Sequence, residues 1–340
     1  MLPILLPVGA ALSVAAIAVG TLYARARGDY TVLPTVADDS SLPALEIDGY
    51  RFHAETHGDP ADSTLIVLHG GPGADYRSLL ALSELADTHH VVFYDQRGAG
   101  LSERVPAESI TASVVLDDLG RIADRFSPTD PVILIGHSWG ATLAAGYMRQ
   151  HPDRVAAAVL AEPGYLDPAE YDLWQQRYDD LMNGWDTTKL MIQAGFEAQH
   201  VDGPDDHAAD DYLVGQRVIP AFLNHPDNLY HRPGQPYTAP SWRFGKAASD
   251  ALTGETFGTT TDFDGPILVL AGADNDWIGE TLQRRHAARY PNAELAVIPD
   301  AAHDMVWDNP TRTVAIICDF LTRSTDTVPA TNHRRSRGLT

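Results

Sequence analysis

Val132-Ile133-Leu134-Ile135-Gly136-His137-Ser138-Trp139-Gly140-Ala141 is the stretch from which the rest of this chain can be read. An apolar, β-branched strand runs straight into Gly-x-Ser-x-Gly, and a small-residue helix follows. That order is the sequence form of a nucleophile elbow: a sharp strand-to-helix turn whose serine stands exposed above the sheet edge. The glycines let strand and helix approach without Cβ clashes. Five residues of pattern alone recur by chance; the strand before them and the helix after them supply the specificity.

Outward from the elbow, strands alternate with helices. Residues 64–68, 90–94, 132–135 and 155–161 read as strands, with 64–68 a continuous apolar run of the kind buried on both faces of a parallel sheet. Helical patterns fit 76–86, 112–126 and the stretch from the elbow to about 150. Residues 44–57 read as two short strands around the turn Asp48-Gly49. After 161 the alternation stops. It resumes with a strand at 266–271, a helix at 279–290, a strand at 293–298 and a helix at 304–322. The expected fold is therefore α/β: a mostly parallel sheet with helices on both faces, interrupted by an inserted helical cap. The divisions are 44–162 and 265–323 for two halves of one core, 163–264 for the cap, 28–43 for a linker and 324–340 for a disordered tail.

The first 27 residues form a separate segment. No charged side chain occurs from Met1 to Ala24, and Arg25 and Arg27 follow. The run is long enough for a bilayer core of about 30 Å. The expectation is a single-pass N-terminal membrane anchor, with the body held cytoplasmic by the two arginines. A cleaved signal peptide with secretion is the alternative, marked by Ala24-Arg25-Ala26.

Composition narrows the partners. The 340 residues carry 24 Lys and Arg against 46 Asp and Glu, a formal net charge of −22, which repels nucleic acid. The lone cysteine, Cys318, sits in an apolar run and allows no disulfide or multi-cysteine metal site within the chain. No cofactor or metal is expected. The expected partner is a small molecule or short peptide, with membrane association through the N-terminal segment.

Four strand ends carry candidate chemistry. Ser138 is the nucleophile, and a serine hydroxyl needs a base within hydrogen-bond reach. His303, after a strand and a turn, is that base. His69 and His137 adjoin glycine turns and read as packing residues, whereas His200, His207, His225 and His231 fall in the cap, where exposure is the default. The acid that orients the base is expected after the strand at 266–271, where Gly272-Ala273-Asp274-Asn275-Asp276 offers two aspartates. Asp276 is preferred because it begins the exposed part of the loop; Asp274 is the alternative. His69-Gly70-Gly71-Pro72-Gly73 exposes backbone N–H groups for an oxyanion hole, with Gly71 pairing with the N–H of Trp139.

The set HGGPG, DQRGAGLS, GHSWGA and a late Asp…His resembles α/β-hydrolase-fold enzymes, and among them the proline iminopeptidases, over about residues 45–321. The resemblance implies a Ser138–Asp276–His303 triad in the chain order of that fold, a helical cap, and bracing roles for Asp95 and Arg97. It implies a serine hydrolase cleaving an amide or ester through an acyl-enzyme, with iminopeptidase- or aminopeptidase-like activity on N-terminal residues. A carboxylesterase or lipase is the alternative, and a binding module on a hydrolase fold is the non-enzyme alternative. Two positions depart from the iminopeptidase pattern: His137 stands where Gly is usual, and Ala141 where Gly or Ser is usual. Glu162 and Glu197 are the candidates for holding a substrate amino group, and the Asp202-to-Asp211 run reads as a solvated loop.

Overall fold

The computed structural model describes residues 2–204, 207–223, 245, 247–248 and 262–327. Eight strands form one sheet: β1 Ala44–Ile47, β2 Tyr50–His57, β3 Thr64–Leu68, β4 His90–Tyr94, β5 Val132–His137, β6 Val155–Ala161, β7 Ile267–Gly272 and β8 Ala293–Ile298. Their order across the sheet is β8-β7-β6-β5-β3-β4-β2-β1. The six strands from β8 to β4 pair in parallel, and β2 pairs antiparallel with both β4 and β1. The turn joining β1 to β2 has Asp48 and Gly49 both at positive φ, as a two-residue hairpin turn requires.

Alternation along the strands builds two cores. On β3, Ile66 and Leu68 face one, with helices α2 (Ala112–Phe126) and α3 (Trp139–Gln150); Leu65 and Val67 face the other. The second core is closed by Arg77–Asp87 and by the helix that ends the described chain. The helical stretch expected at 76–86 is a 3₁₀-helix, Arg77–Asp87, whose buried Leu79, Leu82 and Leu85 recur at the 3₁₀ period of three. The expected single helix at 304–322 is two, Met305–Asp308 and Pro310–Thr327. Pro310 has no N–H to donate and disfavours helical backbone at the residue before it.

Between β6 and β7 lie α4 (Pro168–Met182) and α5 (Trp185–Ala198), followed by shorter helical turns through Leu223. A buried knot ties α4 to α6 (Glu280–Ala287) and the loop after it. Glu170 bonds His286 Nε2 at 2.9 Å and Arg289 at 2.8 Å, and also accepts from the Leu166 N–H. Asp211 is not solvated: it pairs with Arg104 Nε at 3.0 Å with both side chains largely buried, joining the inserted segment to the loop after β4. His207 is buried as well, while His225 and His231 lie outside the described residues, as do residues 328–340 of the expected tail.

Residues 28–43 are anchored along the body. Tyr30–Thr31 pairs in parallel with Val201–Asp202, the Tyr30 ring sits 5.0 Å from that of Tyr212, and buried Val36 donates its N–H to Leu101 O at 2.9 Å. The N-terminal helix α1 (Leu2–Arg25) ends against the same region, with the Tyr23 ring 4.3 Å from that of His200. The expectation of a membrane anchor is corrected here: no helix among the described residues is long and apolar enough to cross a membrane. The helix's polar last turn is occupied by contacts to the protein itself.

Burial alone would raise the Glu170 carboxyl, but the bonds from His286, the Leu166 N–H and the Arg289 charge outweigh it and bring it down to about 2. A carboxyl depressed from 4.5 contributes stability that is full above 4.5 and disappears as pH falls toward 2. Glu170→Gln should therefore lower Tm at pH 7 and flatten the acid dependence of stability across that window, measured by thermal melts from pH 7 down to pH 2.

Candidate active site

Close backbone approach shapes the elbow. A Cβ on Gly140 would strike Leu68 O, and one on Gly136 would strike Gly140 O, so α3 can start directly above β5 only with glycine at both places. The turn forces Ser138 to φ 54°, ψ −119°, a conformation that ordinary side chains rarely adopt. Among the described residues four non-glycines have positive φ: Asp48, Ser138, Glu162 and Asp300. Three of these lie on the turns that carry Ser138, Glu162 and His303. Backbone strain is thus concentrated where parallel strands end.

His303 is buried and its Nδ1 bonds Glu162 Oε2 at 2.9 Å. Glu162 leaves β6 directly, next to the nucleophile strand: Ser138 N bonds Ala161 O at 2.8 Å, and Glu162 N bonds Leu270 O at 3.2 Å. Its carboxylate is held from the β7 side as well. Gly272 N–H donates to Oε1 and the Asn275 side-chain amide donates to Oε2, each at 2.7 Å. Burial pushes the Glu162 carboxyl well above the usual carboxylate range; the Gly272 and Asn275 donors oppose this, and Asp304 and Asp308 add to the rise. A carboxylate here is most stable when the imidazole beside it carries positive charge.

Asp276, the expected acid, does not occupy this position. Its side chain is exposed and lines a cleft of about 350 Å³ between α4 and the loop after β7, with Trp174, Arg177 and Arg285. Asp274 is exposed too. The residue between them, Asn275, turns inward and meets Glu162. The sequence analysis looked for the partner of His303 in the exposed loop after β7 and gave Glu162 only as a candidate for holding an amino group; the structure puts Glu162 beside His303. The available signal was local: a lone carboxylate ending the seven-residue apolar strand β6, which pairs with the nucleophile strand.

The remaining candidates converge on the same edge. The rings of His137 and His303 lie 4.6 Å apart, and His137 Nε2 bonds His303 O at 3.0 Å, so the residue before Ser138 touches His303. A Cβ on Gly70 would come within 3.0 Å of Ser138 Cβ, which places the glycine loop against Ser138. Asp95 accepts from Tyr76 N, Leu101 N and His53 Nδ1, and Arg97 forks onto Asp118 at 2.6 and 2.7 Å over the Tyr50 ring. Glu197 bonds Gln193 and Tyr212 and faces Arg217 at 2.9 Å, so its charge is already met.

The alpha/beta hydrolase fold family matches residues 63–310, spanning β3 through the start of the last helix. The chain belongs to that family. The family and the two curated relatives that follow support hydrolase activity. A proline iminopeptidase of Heyndrickxia coagulans is 27% identical over 289 residues, covering 82% of this chain and 97% of the relative. Epoxide hydrolase B of Mycobacterium tuberculosis is 25% identical, with the same coverages of 82% and 97%. Among solved structures, a thermophilic esterase from Thermogutta terrifontis aligns with TM-score 0.57 and 22% identity over 83% of this chain and 97% of that one. A proline iminopeptidase-related protein from Thermus thermophilus aligns with TM-score 0.58 and 20% identity over 84% and 98%. These last two likenesses are of fold.

Gly140→Ala puts a methyl group into Leu68 O, with backbone on both sides of the clash. It should cost about 3 kcal/mol or more, a fall in Tm of roughly 5–10 °C by calorimetry.

Proposed function

We propose that this hydrolase works through a Ser138–His303–Glu162 triad and cleaves an amide or ester through an acyl-enzyme. The observation that carries the reading is the bond from His303 Nδ1 to the buried Glu162 carboxylate, beside a serine held at positive φ on the elbow. With Nδ1–H donated to Glu162, the lone pair of the imidazole is on Nε2, the atom that must take the proton of a serine hydroxyl.

Ser138 Oγ attacks the substrate carbonyl carbon while His303 Nε2 removes its proton. The carbonyl oxygen becomes an oxyanion, held by the backbone N–H groups of Gly71 and Trp139. The C–N or C–O bond then breaks, and His303 returns the proton to the departing amine or alkoxide. Water repeats the sequence on the acyl-enzyme, giving the acid and free Ser138. Glu162 holds the tautomer and stabilises the imidazolium. Its buried position favours that task, because a carboxylate there is stabilised most when positive charge forms beside it. Epoxide hydrolysis, the activity named for one relative, uses a carboxylate at the elbow, where this chain has serine.

For the substrate, the first reading is the amide after an N-terminal residue, as the iminopeptidase relative and the shared HGGPG, DQRG and SWG motifs suggest. A carboxylic ester is the second reading, favoured by one observation: Glu162 and Glu197, the two carboxylates considered for a substrate amino group, are both engaged by other side chains. An acyl ester needs no such group.

A fluorophosphonate should label the full chain and fail to label Ser138→Ala; equal labelling of both sinks the mechanism. Proline and alanine aminoacyl-naphthylamides compared with short acyl esters separate the substrates, and ester turnover with no aminoacyl-amide turnover removes the peptidase reading. Glu162→Gln should lower kcat by roughly 10⁴, whereas Asp276→Asn stays within about threefold of wild type. The reverse pattern would return the acid role to Asp276.

A further inference from the structure

Gln96 is buried beneath the site, takes no part in the steps above, and makes three polar contacts at the ends of two different strands. Its backbone N–H donates to His69 Nε2 and its side-chain amide donates to His69 O, both at 3.0 Å. Its side-chain oxygen accepts from the Trp139 indole N–H, also at 3.0 Å. The sheet order explains the reach. Gln96 follows β4, the glycine loop follows β3, and Trp139 follows β5, with β3 between the other two.

The His69 tautomer follows from these bonds. A backbone N–H can only donate, so Nε2 accepts and the ring proton is on Nδ1, from which it is donated to Gly70 O at 2.9 Å. One chain of bonds thus runs from Trp139 through Gln96 and His69 to the carbonyl beside Gly71. All three side chains are almost fully buried, so no water competes for these groups.

We propose that Gln96 is a positioning residue that clamps the two halves of the oxyanion hole at a fixed separation. The inference rests on the reading of Gly71 and Trp139 given above. Their N–H groups come from different strand ends, and nothing in the covalent chain sets the distance between them. Donors stabilise a developing oxyanion only if they are already aimed at its position before the reaction. Gln96 supplies that constraint through its side-chain amide, backed by its backbone N–H on the His69 ring. Loosening it therefore weakens transition-state stabilisation and leaves ground-state binding intact.

The experiment follows inactivation of the full chain by a fluorophosphonate, whose phosphoryl oxygen enters the same hole as Ser138 displaces fluoride. The limiting rate kinact and the half-saturating concentration KI are resolved for wild type, Gln96→Leu, Trp139→Phe and the double variant. Trp139→Phe removes only the indole donor and keeps the backbone N–H. In each single variant kinact should fall about tenfold with KI within about threefold, and the double variant should fall no further than the worse single. Losses that multiply, a loss carried by KI, or an unchanged kinact in Trp139→Phe overturns the clamp. Should Gln96→Leu fail to fold, Trp139→Phe decides by the same split. Labelling that persists in Ser138→Ala defeats the hydrolase mechanism itself, an outcome distinct from a labelled wild type with unaltered variants.

Discussion

A carboxyl group with no access to solvent is tolerated only where hydrogen-bond partners meet its oxygens. Glu162 finds those partners through the convergence of three strand ends. β6 delivers the residue, β7 supplies the Gly272 N–H and the Asn275 amide, and the turn after β8 supplies His303. The requirement runs back into the fold. The two β7 donors reach Glu162 only if β6 and β7 pair in register, and that pairing rests on strands whose side chains fill cores on both faces. The strained turns at Ser138, Glu162 and Asp300 persist for the same reason: packed strands on either side leave the backbone no other path.

The surrounding loops serve the same edge by different means. Asp95, at the end of β4, collects two backbone N–H groups and a histidine, and so fixes both the loop that contains it and the start of the segment after HGGPG. Arg104 and Asp211 connect that loop to the segment between β6 and β7, and residues 30–36 run alongside both. The inserted segment is therefore attached to the core at several separate points: Arg104, the Glu170 knot and the pairing of Tyr30–Thr31. At Arg104 and at the Glu170 knot, the attachment pairs a charge that burial would otherwise leave unsatisfied.

Much of this was legible in the residues. Apolar runs at 64–68, 90–94, 132–135 and 155–161 lie in strands of the parallel sheet, because strands buried on both faces leave an unbroken apolar signature. The elbow was legible because two glycines bracket the serine at the one spacing that lets helix and strand touch. That His303 follows the last strand was legible too. The carboxylate that it meets was not. A loop with two aspartates resembles an acid loop in sequence, yet both point outward and the asparagine between them turns in. Which of three consecutive side chains faces the core depends on the path of a turn whose backbone is bonded to Ala301, outside the loop itself. The 3₁₀-helix at Arg77–Asp87 carried its period-three leucines openly, and Pro310 marked the break in the last helix.

The sequence by itself determined the fold, the elbow, and the glycine loop beside it, since each depends on steric and apolar patterning that is local in the chain. Tertiary structure alone decided that Glu162 meets His303. It also decided that Gln96 links two strand ends, and that the N-terminal helix ends on the protein's own surface. Those outcomes depend on which distant groups are brought within about 3 Å in a place without water. No spacing along one strand encodes that, because the partners lie on separate strands and meet only once the sheet has formed.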